Sequence, residues 1–153
     1  LLDVLKMLSP GIDVDSFSAL KELISVDTLK TICPDAVGDY VKMLFLDTIC
    51  ANPDRHTFNF GILRDVDTGK VLGLAPNFDN NMALIARGYS TSKSANDLLI
   101  TLFNELMEKY PEYKEYLPKV TEQVIKKVIS KLNMKVKSQL IVDFVINRNN
   151  AIK

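Results

Sequence analysis

The stretch FNFGILRDVDTGKVLGLAPNFD, residues 58–79, decides the fold because it has the pattern of two short strands joined by a turn. FNFGILRD (58–65) has the aromatic and β-branched content of a strand, and VLGLAPNFD (71–79) is a second strand running into Pro76. Between them VDTGK has the composition of a turn, in which Gly69 suits a left-handed conformation. Antiparallel strands return the chain to its origin, so the two ends of this hairpin should lie together.

Helical patterns flank the hairpin on both sides. Residues 1–51 are predicted to be helical, and the strongest pattern is DAVGDYVKMLFLDTICA (35–51), with Asp35 as its N-cap. After an irregular loop at 80–95, three further helices are predicted, at 96–110, at 118–133 opening on Pro118, and at 137–153. The predicted fold class is therefore mainly α with one short β-hairpin, in a single domain spanning 1–153.

Composition narrows the classes of function. Nineteen basic and nineteen acidic side chains cancel, which gives no electrostatic case for nucleic acid or an anionic membrane as partner. No apolar run approaches the roughly 20 residues of a membrane span. The two cysteines, Cys33 and Cys50, lie in helical patterns and are interpreted as reduced core residues, so the expected location is the cytoplasm.

Polar residues gather at the two ends of the hairpin. They are Asn52, Asp54, Arg55, His56 and Asn59 before it, and Asn77, Asp79, Asn80 and Asn81 after it. Among them Asp54, Asn59 and Asp79 can converge when the hairpin closes. Two carboxylates and one carboxamide suit a hard divalent cation, because Mg²⁺ takes oxygen ligands completed by water and phosphate.

The spacing of these residues matches a phosphoryl-transfer template. In that template one Asp accepts the hydroxyl proton, while an Asn and a second Asp hold the metal that bridges the phosphates. The protein-kinase catalytic loop places its Asn five positions after its Asp, as Asp54 and Asn59 are placed here. The second Asp lies beyond a short hairpin, where Asp79 stands.

The segments NPDRHTFNFGIL (52–63) and LAPNFDN (74–80) together resemble the catalytic region of HipA-like kinases. The Asp-Arg-His-x-x-Asn motif is also similar to that of phosphatidylinositol kinases. The resemblance covers roughly residues 40–84, with the catalytic region at 50–84, and it implies the C-terminal lobe of a protein-kinase-like fold.

Carried over residue by residue, the resemblance assigns roles. It implies that Asp54 is the catalytic carboxylate, that Arg55 and His56 complete the catalytic set as organisers of the loop, and that Asn59 and Asp79 bind Mg²⁺ and through it ATP. The implied activity is Mg²⁺- and ATP-dependent phosphorylation of a Ser/Thr hydroxyl on a protein. HipA-like kinases are toxins of toxin–antitoxin pairs, so an antitoxin-type protein partner is also implied. Asn80 and Asn81 replace the Phe-Gly of protein kinases, which puts the Phe-driven inactivation switch in doubt.

Other interpretations of the same residues stay open. Asp54 and Asp79 could each cap a local turn, Asn59 could make a side-chain turn bond, and His56 could be structural. The domain could be a non-catalytic binding module on the same fold. A lipid kinase is favoured by the Arg-His pair and opposed by the lack of a basic or amphipathic membrane-facing stretch.

The resemblance also calls for parts that this chain lacks. A Gly-rich loop followed by a strand lysine is absent from the 153 residues, and Leu1 begins inside a helical pattern. We therefore expect a smaller β-rich lobe upstream, and weak or no activity for this chain alone. Within the 80–95 loop, candidate self-phosphorylation sites are Ser90, Thr91, Ser92 and Ser94.

Two further segments carry predictions. Asp47 lies near the apolar face of the 35–51 helix, where it either bonds the backbone of the 52–56 loop or stays partly exposed. DVDTG (65–69) resembles the start of a calcium loop, but it lacks the later acceptors and the closing Glu, so a hairpin tip is favoured.

Overall fold

The computed structural model describes residues 26–55, 59–84, 98–132 and 135–153. The described helices are α1 Val26–Ile32, α2 Val37–Cys50, α3 Leu98–Lys109, α4 Glu122–Ile129 and α5 Ser138–Asn150. Strands β1 Ile62–Arg64 and β2 Val71–Leu74 form one antiparallel sheet, and 3-10 turns occupy Pro34–Ala36 and Pro111–Tyr116. The predicted class, mainly α with one β-hairpin, is confirmed. The helices predicted before residue 26 and the loop residues 85–95, including Ser90, Thr91, Ser92 and Ser94, lie outside the described residues.

The hairpin is shorter than its sequence pattern predicts. Ile62 pairs with Leu74 and Leu63 with Gly73, and the register then shifts before Arg64. Gly73 has a φ of 149°, a conformation that side chains rarely adopt, so the glycine permits the irregularity. Pro76 has no backbone N–H to donate, which limits how far a ladder can extend along the second strand.

The tip of the hairpin is a hydrogen-bonded turn. The Asp65 carboxylate accepts bonds from the backbone N–H of Thr68 at 2.8 Å and from its hydroxyl at 2.7 Å. These bonds lower the pKa of Asp65, because they stabilise the ionised carboxylate. Gly69 has a φ of 69° and donates its N–H to the Asp65 carbonyl at 2.9 Å. The predictions of a hairpin tip and of a left-handed Gly69 are confirmed.

The chain divides into two units, each with its own apolar core. Among the described residues, the first unit takes in 26–40 and Asp54–Asp79. Its buried apolar residues are Val26, Leu29, Cys33, Ala36, Val37, Tyr40 and Phe60. The Tyr40 and Phe60 rings lie 5.8 Å apart between centroids, so the residue next to Asn59 is fixed to the start of α2 by an aromatic pair.

The second unit takes in Val41–Pro53 and the described residues from Asn80 onward. Its buried apolar residues are Val41, Met43, Phe45, Ile49, Ala51, Ile100, Phe103, Met107, Tyr110, Val142, Phe144 and Val145. The rings of Phe45 in α2 and Phe103 in α3 lie 5.7 Å apart. The side chain of Asn104 donates to the Ala151 carbonyl at 3.2 Å and accepts from the Lys153 N–H at 2.9 Å, which holds the last residues on α3.

Two predicted helix starts are wrong. Asp35 lies inside the 3-10 turn that precedes α2, so it is not in an N-cap position. The helix expected to open on Pro118 begins at Glu122 instead, because the Thr121 hydroxyl accepts the N–H of Val124 at 3.3 Å and caps α4 there. Among the described helices none is long and apolar enough to cross a bilayer.

Candidate functional site

Arg55 joins the two ends of the hairpin. Its Nη1 nitrogen donates to the carbonyl oxygen of Asn59 at 2.6 Å and to that of Phe78 at 2.8 Å. The arginine is 8% exposed, so these bonds form largely out of water, where a charged donor contributes most. One guanidinium thus brings the turn before β1 and the residue preceding Asp79 to the same nitrogen atom.

Arg55 therefore holds backbone carbonyls, as its predicted role of loop organiser requires. The bonds to residues 59 and 78 use the N–H groups of Nη1 to hold two backbone carbonyls. His56, the other predicted organiser, lies outside the described residues.

Asn59 fixes the loop from within. Its side-chain Nδ2 donates to the backbone carbonyl of Asp54 at 2.7 Å, and the residue is 4% exposed. This bond orients the amide, which keeps its oxygen Oδ1 as an acceptor and the second N–H of Nδ2 as a donor. The contact between these two predicted site residues therefore joins the Asn59 side chain to the Asp54 backbone. The Asp54 side chain itself is half-buried.

Asp79 follows directly after the carbonyl that Arg55 holds. Its side chain is exposed and its φ is 57°, a left-handed conformation that costs most residues energy but that Asp and Asn tolerate best. Among the neighbouring polar residues predicted with it, Asn77, Asn80 and Asn81 are exposed as well. The structure thus brings residues 54, 55, 59 and 78 into one bonded set, with Asp79 at its edge.

Two side chains of this set are of the types that bind hard cations. Asn59 offers an amide oxygen and Asp79 a carboxylate, which are Mg²⁺ ligands, whereas nitrogen or sulfur ligands would favour other metals. No group of three or more His, Cys, Asp or Glu side chains suited to a metal occurs in the part of the chain that the structure describes. A site with two protein ligands would need water and phosphate oxygens to complete the octahedron, as Mg²⁺ sites commonly do.

Asp47 and Asn52 close the end of α2. The N–H of Asn52 donates to the Asp47 carbonyl at 2.8 Å and that of Ala51 to the Thr48 carbonyl at 3.3 Å. With Ala51 at a φ of 52°, this pairing is a Schellman motif. The Asn52 side chain also donates to the Asp47 carboxylate at 2.8 Å, and both residues are buried. The alternative of a partly exposed Asp47 is therefore wrong, and Asn52 acts in ending the helix.

Arg148 is the buried cation that the sequence did not reveal. It is 0% exposed, and its Nε donates to the Thr48 carbonyl at 2.7 Å. Its guanidinium also lies over the Phe144 ring, 5.6 Å from the centroid. A signal was present in the sequence, because Arg148 falls on the same helical face as Ile141, Phe144 and Val145, where an aliphatic residue would be expected.

Cys50, the last residue of α2, senses both charges near that helix end. The pKa of its thiol is raised from 9.0 to about 11, mainly by burial and to a smaller extent by the Asp47 charge, while the Arg148 charge lowers it. Both cysteines are free thiols. Because the folded state holds the Cys50 proton over a pH range in which the unfolded chain has lost it, stability depends on pH there.

We expect the free energy of unfolding to fall as the pH rises from 9.0 toward about 11. The unfolded thiol ionises first, so the contribution is fully present below pH 9.0 and is lost at up to about 1.4 kcal/mol per pH unit above it. Urea titrations across this range should show a smaller fall for Cys50→Ala. Cys33→Ala keeps the Cys50 thiol, so its free energy of unfolding should fall with pH as that of the wild type does. Equal slopes of unfolding free energy against pH in all three proteins would contradict the assignment of this effect to Cys50.

We expect Arg55→Lys to lower the free energy of unfolding by about 2 kcal/mol, because an ammonium cannot reproduce the two-carbonyl contact of a guanidinium. Urea denaturation measures the loss. Arg64→Lys is the matched control, since Arg64 is exposed in β1 and its replacement should change stability by less than about 0.5 kcal/mol. A loss of the same size in both variants would show that Arg55 does not organise the loop.

Comparisons with known proteins add no relative. No protein-family model, no curated protein and no solved structure matches this chain.

Proposed function

We propose that this chain is the catalytic C-terminal lobe of a Mg²⁺- and ATP-dependent phosphotransferase of the HipA-like type, acting on a Ser/Thr hydroxyl of a protein. The observation that carries the proposal is a pair of hydrogen bonds, which Nη1 of Arg55 donates to the carbonyls of Asn59 and Phe78. It ties the Asp-Arg-His-x-x-Asn segment to the segment that ends in Asp79. Phosphoryl transfer needs such residues together, because its catalysis is almost entirely positioning and electrostatic stabilisation.

In this proposal each residue has one task. Asp54 aligns the acceptor hydroxyl and accepts its proton, and Arg55 positions the two segments. The Asn59 bond to the Asp54 carbonyl at 2.7 Å fixes the loop that carries the catalytic carboxylate. Asn59 and Asp79 would hold Mg²⁺, which when bound neutralises charge on the phosphates of ATP.

The location that we propose is the cytoplasm. Cys33 and Cys50 are both free thiols, as expected in a reducing compartment where ATP is also available. An antitoxin-type protein partner belongs to the same proposal, because it follows from the resemblance to HipA-like kinases.

Calorimetry with ATP tests the proposal on the longest natural protein that contains this chain. We expect ATP to bind in the presence of Mg²⁺ and at least about tenfold more weakly without it, because Mg²⁺ held by Asn59 and Asp79 would neutralise charge on the phosphates. Asn59→Asp is a useful variant, since it keeps an oxygen ligand but loses the Nδ2 donor to Asp54. Absence of nucleotide binding with and without Mg²⁺ would contradict the proposal and favour the non-catalytic binding module.

The class of acceptor needs a separate measurement. A protein kinase transfers the labelled phosphate of ATP to protein, whereas a lipid kinase transfers it to phosphatidylinositol. Label found on phosphatidylinositol alone would contradict the proposed acceptor while leaving the phosphotransfer chemistry in place.

A further inference from the structure

Helix α4 carries aliphatic side chains on a face that the described part of the chain leaves exposed. Val124 is 48% and Val128 57% exposed, and Leu132, just beyond the end of the helix, is 47% exposed. Residues four apart in a helix lie one above the other, so the two valines form a row, and Leu132 lies in the turn that follows the helix. Ile125 and Ile129, on another face of α4, are partly buried. The exposed row therefore lies on a different face of α4 from the partly buried isoleucines.

Lysines are concentrated in the same segment. Residues 119–137 contain six lysines and one acidic residue, although the charges of the whole chain cancel. The lysines are Lys119, Lys126, Lys127, Lys131, Lys135 and Lys137, and all six are exposed. The one acidic residue, Glu122, accepts a bond from Lys126 at 3.1 Å, so the excess positive charge resides on the other lysines.

Two of these lysines border the aliphatic row. Lys127 follows Val124 by three residues in α4, which places it beside the row, and Lys131 follows Val128 by three in the turn after the helix. We call Val124, Val128, Leu132, Lys127 and Lys131 the α4 stripe. It joins exposed aliphatic groups to ammonium groups on flexible stems, the combination found on helices that lie at a lipid–water interface.

We propose that the α4 stripe docks the chain peripherally on an anionic lipid surface. The valines and the leucine would enter the boundary between headgroups and acyl chains, while the lysines contact lipid phosphates and carboxylates. Charge complementarity favours this occupant, because two of the six lysines lie on the amphipathic helix α4 and the other four flank it, and such clusters are attracted to anionic lipids. The inference is independent of the phosphotransfer proposal. It also differs from the sequence-based expectation of no membrane partner, because sequence alone could not tell the exposed valines from buried ones.

Vesicle flotation tests the proposal with the full chain. We expect the chain to bind phosphatidylcholine vesicles that contain phosphatidylserine and not to bind pure phosphatidylcholine vesicles. High salt should release it from the anionic vesicles. Lys127→Glu with Lys131→Glu should lower the affinity at least about a hundredfold, because each lysine near an anionic surface contributes about 1 kcal/mol and its reversal adds repulsion. Arg64→Glu with Lys70→Glu is the matched control, with the same change in net charge on exposed hairpin residues.

The aliphatic part of the stripe has its own variant. Val128→Ser should weaken vesicle binding about tenfold without changing its dependence on salt, because it removes one buried aliphatic side chain and no charge. Three results would overturn the proposal. They are no binding of the wild type to the anionic vesicles, equal losses in the stripe and control double variants, and binding of polyglutamate or of a second copy of the chain through this stripe in place of vesicles.

Discussion

Replacing Arg148 with leucine is expected to lower the free energy of unfolding by about 3–5 kcal/mol. The side chain is 0% exposed, so its charge is held entirely by protein groups. The variant loses the donor to the Thr48 carbonyl at 2.7 Å and leaves that carbonyl at the end of α2 without this partner. It also removes a positive charge that acts on the Cys50 thiol, as the charge of the buried Asp47 carboxylate does.

Urea denaturation of Arg148→Leu and of a matched surface variant measures this effect. Lys127→Leu removes an exposed helical cation and should change stability by less than about 0.5 kcal/mol. Equal losses in the two variants would contradict the claim that burial of the charge is the cause.

A double variant separates the role of the charge from that of packing. Asp47→Asn keeps the side-chain oxygen that accepts the Asn52 bond but removes the negative charge. We expect Asp47→Asn with Arg148→Leu to be more stable than the sum of the single losses implies, by at least about 1 kcal/mol. Additive losses would mean that the two charges do not interact and that Arg148 stabilises the protein through packing alone.

Local signals in the sequence predicted the elements that depend on local chemistry. The period of 3.6 in residues 35–51 predicted α2, which runs from Val37 to Cys50. The turn composition predicted the hairpin tip, because Gly69 alone in VDTGK takes a positive φ without strain. Where the prediction failed, at the start of α4, two signals for a helix start lay three residues apart, and the helix begins after the Thr121 cap and not at Pro118.

Other features of the structure could not be predicted from residue types and spacing. The Schellman end of α2 has Ala51 at the position where Gly or Asn is usual, so no residue type announced it. Arg55 was predicted to organise the loop, but its bond to Phe78 joins residues 23 apart, a contact that sequence spacing does not reveal. The spacing of Asp54 and Asn59 indicated a site, but it did not predict the Nδ2 bond that orients the amide.

In the proposed phosphotransferase, Asp54→Asn is expected to lower the rate of phosphotransfer by a factor of at least about 100, because the amide cannot accept the proton of the acceptor hydroxyl. The substitution keeps the size of the side chain. It also keeps the backbone carbonyl that accepts the Asn59 bond at 2.7 Å, so the loop should stay in place. The dependence of the rate on Mg²⁺ concentration should be unchanged. Asp67→Asn, at the exposed hairpin tip, is the matched control and should retain the wild-type rate.

Asp79→Asn should give a different signature, because Asp79 is proposed to bind the metal. Asparagine tolerates the φ of 57° that Asp79 adopts, so this variant removes the charge with little added backbone strain, whereas alanine would add strain. We expect the Mg²⁺ concentration for half-maximal rate to rise at least about tenfold, since one of two protein ligands becomes neutral. Initial rates measured against Mg²⁺ concentration, on the longest natural protein that contains this chain, separate the two variants. Wild-type rates and Mg²⁺ dependence in both would remove the chemical basis of the proposal, because neither carboxylate would then take part in the transfer.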